Sequence, residues 1–403
     1  MSHYEAKFLP DGKHFLYNAV TIGGQTHIAL ASLDSSEPKL VLDGAWAHGY
    51  AAGFLFFSKT GPEMLAQPFD PSTGSLSRKA TSLAQADNVS ATSDSIMAYQ
   101  GASPTARLEW FDRSGNPLGS LGEVAEYNSP KISPDGKQVL ARVVNHQTGT
   151  DELWSFPVSG GVSTRLTFGP GAKIWSVWSP DGKYVAYAAP GGDPRAIFRK
   201  PADGSGEAET LFAPGPSLPS SNLAVVDWSP DGHYLSFDAF NTTEGHEENW
   251  ILPLTGDKKP FQVVHTDAGA YDGNFSPDGR WFAYFSYESG RPEVYVIPFP
   301  GPGGKYQISH TGGWLVRWAR DGKLFYSTIG NRLMEADIAL SANSLQVKSI
   351  RPLFEMNPPN SAMPLFDVTP DGQKFVVVTS DRPESSLITL ITNWTAALKP
   401  MNP

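Results

Sequence analysis

The chain has 403 residues, 40% apolar and 12% aromatic, enough for a substantial core, which excludes a disordered polymer. Its formal net charge of −10 is spread without blocks, which argues against a nucleic-acid surface and is explained by solubility. There is no cysteine, so disulfides and thiolate metal sites are excluded, while Gly 39 and Pro 34 suit a turn-dense all-β protein.

In chain order, the start Met1-Ser-His-Tyr-Glu-Ala-Lys has no signal-peptide pattern. No apolar run approaches the ~20 residues needed to span a bilayer. The chain as given is therefore expected to insert into no membrane, and to be either cytoplasmic or a piece of a longer protein. The first predicted unit runs from Phe8 to about Leu42 around the turn Pro10-Asp-Gly12. The second, Tyr50–Phe57 then Glu63–Phe69, lacks that turn. The third is read as Ile96–Tyr99, then Arg107–Asp112 and the turn Arg113-Ser-Gly-Asn116.

From about residue 125 the turn recurs regularly. Ser133-Pro-Asp-Gly-Lys137, Ser179-Pro-Asp-Gly-Lys183, Ser229-Pro-Asp-Gly-His233, Ser276-Pro-Asp-Gly-Arg280 and Thr369-Pro-Asp-Gly-Gln373 share one pattern, and Ala319-Arg-Asp-Gly-Lys323 lacks the proline. The turn aspartates are spaced 46, 50, 47, 43 and 50 apart. Proline presets the first turn position and glycine takes the left-handed one, which closes a short hairpin. A large apolar residue precedes each turn, and apolar residues follow three and five positions after the glycine, the period of a strand. Third strands are expected at Leu153–Val158, Ala196–Lys200, Trp250–Leu254, Glu293–Pro298, Arg332–Asp337 and Leu387–Asn393.

A period near ~45 residues is that of a four-stranded propeller blade. The predicted fold is all-β: a six-bladed β-propeller over 125–403, with three blade-like units over 1–124 forming part of a second propeller. One larger ring and a stacked β-solenoid remain as alternatives. The last unit has no fourth strand of its own, so a closed ring needs a strand from elsewhere to cover that edge.

The ordered set Phe8-Leu-Pro-Asp-Gly-Lys-His-Phe-Leu-Tyr17, Leu65-Ala-Gln-Pro-Phe-Asp70, Leu108-Glu-Trp-Phe-Asp-Arg113, Glu293-Val-Tyr-Val-Ile-Pro-Phe-Pro300 and Asn393-Trp-Thr-Ala-Ala-Leu398 resembles TolB-like, Pro-Asp type (WD-repeat-like) β-propellers. More narrowly, it resembles the C-terminal propeller region of acidobacterial membrane serine/threonine protein kinases. The resemblance implies an extracytoplasmic, periplasmic sensor or interaction region. It implies no kinase activity, since the Gly-rich loop, Val-Ala-Ile-Lys, His-Arg-Asp and Asp-Phe-Gly landmarks are absent.

No Gly-x-Ser-x-Gly elbow or His-Glu-x-x-His spacing occurs, so neither a catalytic set, a cofactor nor a metal is assigned. Gly245-His-Glu-Glu-Asn249 reads as a solvated loop and Gly301-Pro-Gly-Gly304 as a hairpin turn. The aligned units point elsewhere. Four residues before each turn aspartate stand Lys131, Val177, Asp227, Asn274, Arg317 and Asp367, polar in five of six units. On inner strands these would ring the channel. They serve either as inter-blade pairs, with Arg317, Asp367 and Lys131 consecutive, or as a polar funnel for a ligand. Tyr127, Trp175, Tyr271 and Trp314 feed the same end as a possible aromatic platform. Lys131, Asp227, Asn274, Arg317, Asp367, Trp175, Tyr271 and Trp314 are thus the candidate ligand-binding residues. The expected partner is a protein, peptide or small molecule at one propeller face. The competing expectation is a glycan hydrolase or lyase using Asp227, Asp272 or Asp367.

Overall fold

Each Ser/Thr-Pro-Asp-Gly segment closes its hairpin with one recurring set of hydrogen bonds. In the second repeat Ser179 Oγ donates to Asp181 Oδ1 at 2.6 Å, and that carboxylate accepts the Lys183 N–H at 3.1 Å. Ser179 Oγ in turn accepts the Tyr184 N–H at 2.9 Å. Asp135 and Asp371 repeat the arrangement, and such bonds hold all three carboxyls below their usual range. The glycine that follows has a positive φ in every repeat, between 68° at Gly279 and 85° at Gly322. A side chain there would be strained.

These hairpins assemble an all-β molecule in this computed structural model. It describes residues 2–20, 26–59, 63–92, 96–101, 106–145, 150–169, 173–189, 196–215, 218, 220–241, 243–341, 344–358, 366–380 and 388–398. Two compact units result. One comprises Thr105–Val144 and Thr150–Asp381; the other Met1–Pro104, Asn145–Gly149 and Arg382–Pro403.

The larger unit is a ring of six four-stranded antiparallel blades. Blade I takes the later half of Pro117–Ile132 with Gln138–Asn145, Thr150–Pro157 and Thr164–Arg165. Blade II is Ile174–Trp178, Tyr184–Ala189, Ala196–Pro201 and Glu209–Phe212. Blade III is Ser220–Trp228, Tyr234–Asn241, His246–Pro253 and Phe261–Gln262. Blade IV is Ala270–Phe275, Trp281–Ser286, Glu293–Pro298 and Tyr306–Gln307. Blade V is Trp314–Trp318, Leu324–Ser327, Arg332–Leu340 and Leu345–Glu355. Consecutive inner strands touch all the way round, and blade VI meets blade I.

Blade VI corrects two sequence expectations. Its inner strands Phe366–Val368 and Lys374–Ser380 are completed by Ala106–Asp112 and by the first half of Pro117–Ile132. Ala106–Asp112 was expected in the third N-terminal unit, yet it pairs with Lys374–Ser380 in unbroken register from Ala106 opposite Ser380 to Asp112 opposite Lys374. The C-terminal strand, expected in blade VI, is Ile388–Thr392 and pairs instead with Ile96–Gly101 in the smaller unit. The ring therefore begins near residue 105 rather than 125 and ends near 381. Pairing is decided by which edge is open, and the N-terminal strands close the last blade.

Among the described residues the smaller unit holds two sheets, one of four strands and one of seven. The first is Ser2–Phe8, His14–Val20, Thr26–Ser32 and Ser35–Asp43. In the second, the stretch read as one strand over Tyr50–Phe57 is two, Trp46–Ala51 and Phe54–Ser58, joined at Ala52 and Gly53, both with positive φ. At the far end of this sheet Ile96–Gly101 pairs with the end of Thr81–Ala91 on one side and with Ile388–Thr392 on the other. Trp394, buried just after that last strand, meets Phe56 edge-on at 5.1 Å between ring centroids.

In the ring the core lies between blades. Val177, Ala186 and Ile197 of blade II pack against Leu223, Leu235 and Phe237 of blade III. Each of the first five inner strands also breaks register near the axis. At the break Ser129, Trp175, Asp272 and Leu315, each six residues before its turn aspartate, have φ of 50° to 54°. Such conformations are costly for non-glycine residues, and bulges of this kind re-aim the groups beside them.

Candidate functional site

The inner strands carry the polar positions to the axis of the ring, where two cavities share their walls. One, of about 470 Å³, opens among the turns and is lined by their prolines Pro134, Pro180, Pro230, Pro277 and Pro370. Asp227, Asn274 and Asp367 line it. The other, of about 360 Å³, opens at the opposite end, the mouth, and is walled by Trp175, Tyr271 and Trp314. Lys131 and Arg317 line both, so they form a charged waist between them.

The waist is tightly paired. Arg317 is 3% exposed and its Nη1 donates to Asp272 Oδ1 and Oδ2 at 2.9 and 2.8 Å. Asp272 Oδ2 also accepts the Val316 N–H at 2.6 Å. Asp367 Oδ1 stands 3.8 Å from Arg317 Nε, and its Oδ2 accepts the Ile132 N–H at 2.6 Å, which ties blade VI to blade I. Asp227 does the same between blades III and IV, accepting the Phe275 N–H at 2.8 Å. Lys131 Nζ passes blade II, where the ring position is the apolar Val177, and donates to the Val226 carbonyl of blade III at 3.2 Å. Asn274 Nδ2 donates to the Asp272 carbonyl at 2.7 Å.

The electrostatics follow from burial opposed by these partners. Burial pushes the Asp227 carboxyl up to about 6, with Lys131 pulling the other way. Asp367 is raised for the same reason, against Lys131 and Arg317. Burial, helped by the Arg317 charge, pulls Lys131 down, while Asp367, Asp272 and Asp227 oppose the fall. Burial also works against the Arg317 charge, but Asp272 and Asp367 outweigh it and hold the guanidinium charged.

All eight candidate residues thus lie along one axis, in two cavities rather than one. Tyr127 does not join them. It is buried against Phe156, and its hydroxyl donates to the Glu123 carbonyl at 2.6 Å. The expected inter-blade pair of Arg317 is also different, since its closest partner is Asp272 of blade IV, two positions upstream of the aligned ring position.

Sequence reasoning missed two residues at the mouth. Asp238 interrupts the apolar run of Tyr234–Asn241, at a position that is Ala188 in blade II and Phe285 in blade IV. Its Oδ2 accepts the Asp272 N–H at 2.8 Å, and its Oδ1 a short hydrogen bond from Asn249 Nδ2. Glu247, read as part of a solvated loop, lies in the strand His246–Pro253 and lines the mouth with Asp238. A charge within an otherwise buried strand was the available signal. Tyr271 stacks on Phe285 at 5.0 Å and 12°, with Tyr287 edge-on at 5.7 Å.

No family model matches the chain. An uncharacterized protein of Agrobacterium fabrum is 26% identical over 166 residues, 38% of this chain and 53% of that protein. A TolB homolog of Chlorobium chlorochromatii is 27% identical over 167 residues, 41% of this chain and 34% of its own length. The chain thus spans about half or less of the curated relatives it matches. A solved structure from Agrobacterium tumefaciens described as a TolB candidate superposes with a TM-score of 0.52 at 16% identity, over 70% of this chain and 100% of that one. The fold is that of a TolB-like β-propeller.

Proposed function

We propose that the chain is a non-catalytic binding module whose ring receives a protein segment, peptide or small ligand at its mouth. The observation that carries this is the 360 Å³ cavity walled by Trp175, Tyr271 and Trp314 over a floor of paired charges. Aromatic faces offer contact area at low entropic cost, and a few buried polar groups fix orientation. A TolB-like fold favours a protein or peptide as the ligand. The sequence resemblance supports a setting in the extracytoplasmic, periplasmic sensor region of a bacterial signalling protein of the serine/threonine kinase type.

The competing enzyme reading needs carboxylates free for acid–base work. Asp227 and Asp367 each spend an oxygen on a backbone N–H of the next blade, which favours a structural role for them. The test is a binding screen against peptides and extracytoplasmic protein fractions, run beside a glycan and chromogenic-ester panel. Binding lost on Trp314→Ala, with the fold retained and no turnover, is the expected result. Turnover abolished by Asp227→Asn or Asp367→Asn with folding intact would overturn it.

A further inference from the structure

We infer that the mouth cavity is a receptor for an organic ammonium group, taken between the carboxylates of Asp238 and Glu247 and the aromatic wall. The inference rests on the binding reading above and names its ligand chemistry.

The charged groups facing the cavity are Lys131, Arg317, Asp272, Asp238 and Glu247. Arg317 and Asp272 are committed to one another. Lys131 points to the Val226 carbonyl and into the field of Asp227 and Asp367. Asp238 and Glu247 are left: among the described residues the two basic side chains at this cavity, Lys131 and Arg317, form no ion pair with either. Asp238 is buried and Glu247 half-buried beside it, and carboxylates withdrawn from water without a cation are costly unless they hold a proton or gain a positive ligand. Burial raises both carboxyls, and Glu247 adds to the rise at Asp238.

A second observation points the same way. Ser176, 1% exposed, lines this cavity, and its Oγ has no hydrogen-bond partner. Asn249, also 1% exposed, lies behind the cavity lining and donates its amide N–H to Asp238, which leaves the Asp238 carboxylate held but not neutralised. The Ser176 hydroxyl is thus an unpartnered polar group at the cavity wall, able to accept from one of the three N–H donors an ammonium brings with its charge. A metal ion fits less well, since no group of three or more His, Cys, Asp or Glu suited to a metal occurs among the described residues. Aromatic faces beside paired carboxylates suit an organic cation.

A peptide can present this group from its N-terminus or from a lysine side chain. Calorimetric titration of the full chain with glycyl-leucine amide (α-ammonium only) and Nα-acetyl-lysine amide (side-chain ammonium only), each beside its fully acetylated twin, separates the two. At least one charged probe is expected to bind tenfold or more tighter than its neutral twin, and which one does so identifies the source. Asp238→Asn with Glu247→Gln should remove that preference; Glu247→Gln alone serves if the double variant fails to fold. Equal binding of charged and neutral probes, or a preference that survives both variants, overturns the ammonium inference. If the neutral twins bind equally and Trp314→Ala abolishes that binding, the mouth remains a ligand site and only its chemistry is wrong. If no probe binds at all, the ammonium inference falls, and the peptide and protein screen alone then decides whether the mouth binds anything.

Discussion

Arg317 of blade V places Nη1 2.9 and 2.8 Å from the two carboxylate oxygens of Asp272 in blade IV, and both residues are buried at the axis of the ring. Removing one partner leaves the other charge uncompensated in low dielectric. Arg317→Ala should therefore destabilise the ring by about 3–5 kcal/mol. The double variant Arg317→Met with Asp272→Asn should lose less than Arg317→Ala alone. Urea unfolding of the three proteins checks the order; equal losses would show that the pair is not coupled.

The ring needs the strands before residue 125. A fragment spanning 105–381 keeps the pairing of Ala106–Asp112 with Lys374–Ser380. A fragment spanning 125–403 exposes the Lys374–Ser380 edge. The first is expected to unfold cooperatively and stay soluble, and the second to aggregate or unfold broadly. Calorimetry and light scattering decide between them. A well-folded 125–403 fragment would contradict the closure described here.

Asp227 should titrate near 6, because burial disfavours its charged form. The folded value lies above the ordinary 3.8, so its contribution to stability is present in full below that value and is lost as pH rises through about 6. Lys131 lowers the Asp227 value, so Lys131→Met should move the Asp227 midpoint further up. Carboxyl carbon shifts followed by NMR between pH 3 and 8 read this directly. A downward or absent movement would refute the coupling.

Arg320 replaces the turn proline of blade V and uses what proline lacks. Its N–H donates to the Pro370 carbonyl of blade VI at 2.9 Å, and its Nη2 to the Pro134 carbonyl of blade I at 2.7 Å. Arg320→Pro would match the repeat, yet it removes both bonds. A loss of about 1–2 kcal/mol is expected in thermal or urea unfolding. A stabilised variant would mean that turn stiffness outweighs these contacts.

The sequence by itself determined the six turn-closed hairpins of the ring, though not the hairpin of Trp46–Ala51 with Phe54–Ser58. Ser-Pro-Asp-Gly carries its own bonds within six residues, as Ser179 to Tyr184 illustrates, so the turn and the flanking strand period follow from local chemistry. It also brought Lys131, Asp227, Arg317 and Asp367 to one axis, because a fixed offset from the turn is a fixed height on the inner strand. Only the tertiary structure decided that Ala106–Asp112 and Ile388–Thr392 take opposite places from those expected. Alternating apolar strands are interchangeable as pairing partners, and which edge each one finds depends on contacts over more than 250 positions, as between Thr379 and Glu109. The partner of Arg317 was likewise settled by approach between blades, which no spacing along the chain encodes, whereas Asp238 and Glu247 share the mouth because the register of one blade III hairpin sets their strands side by side.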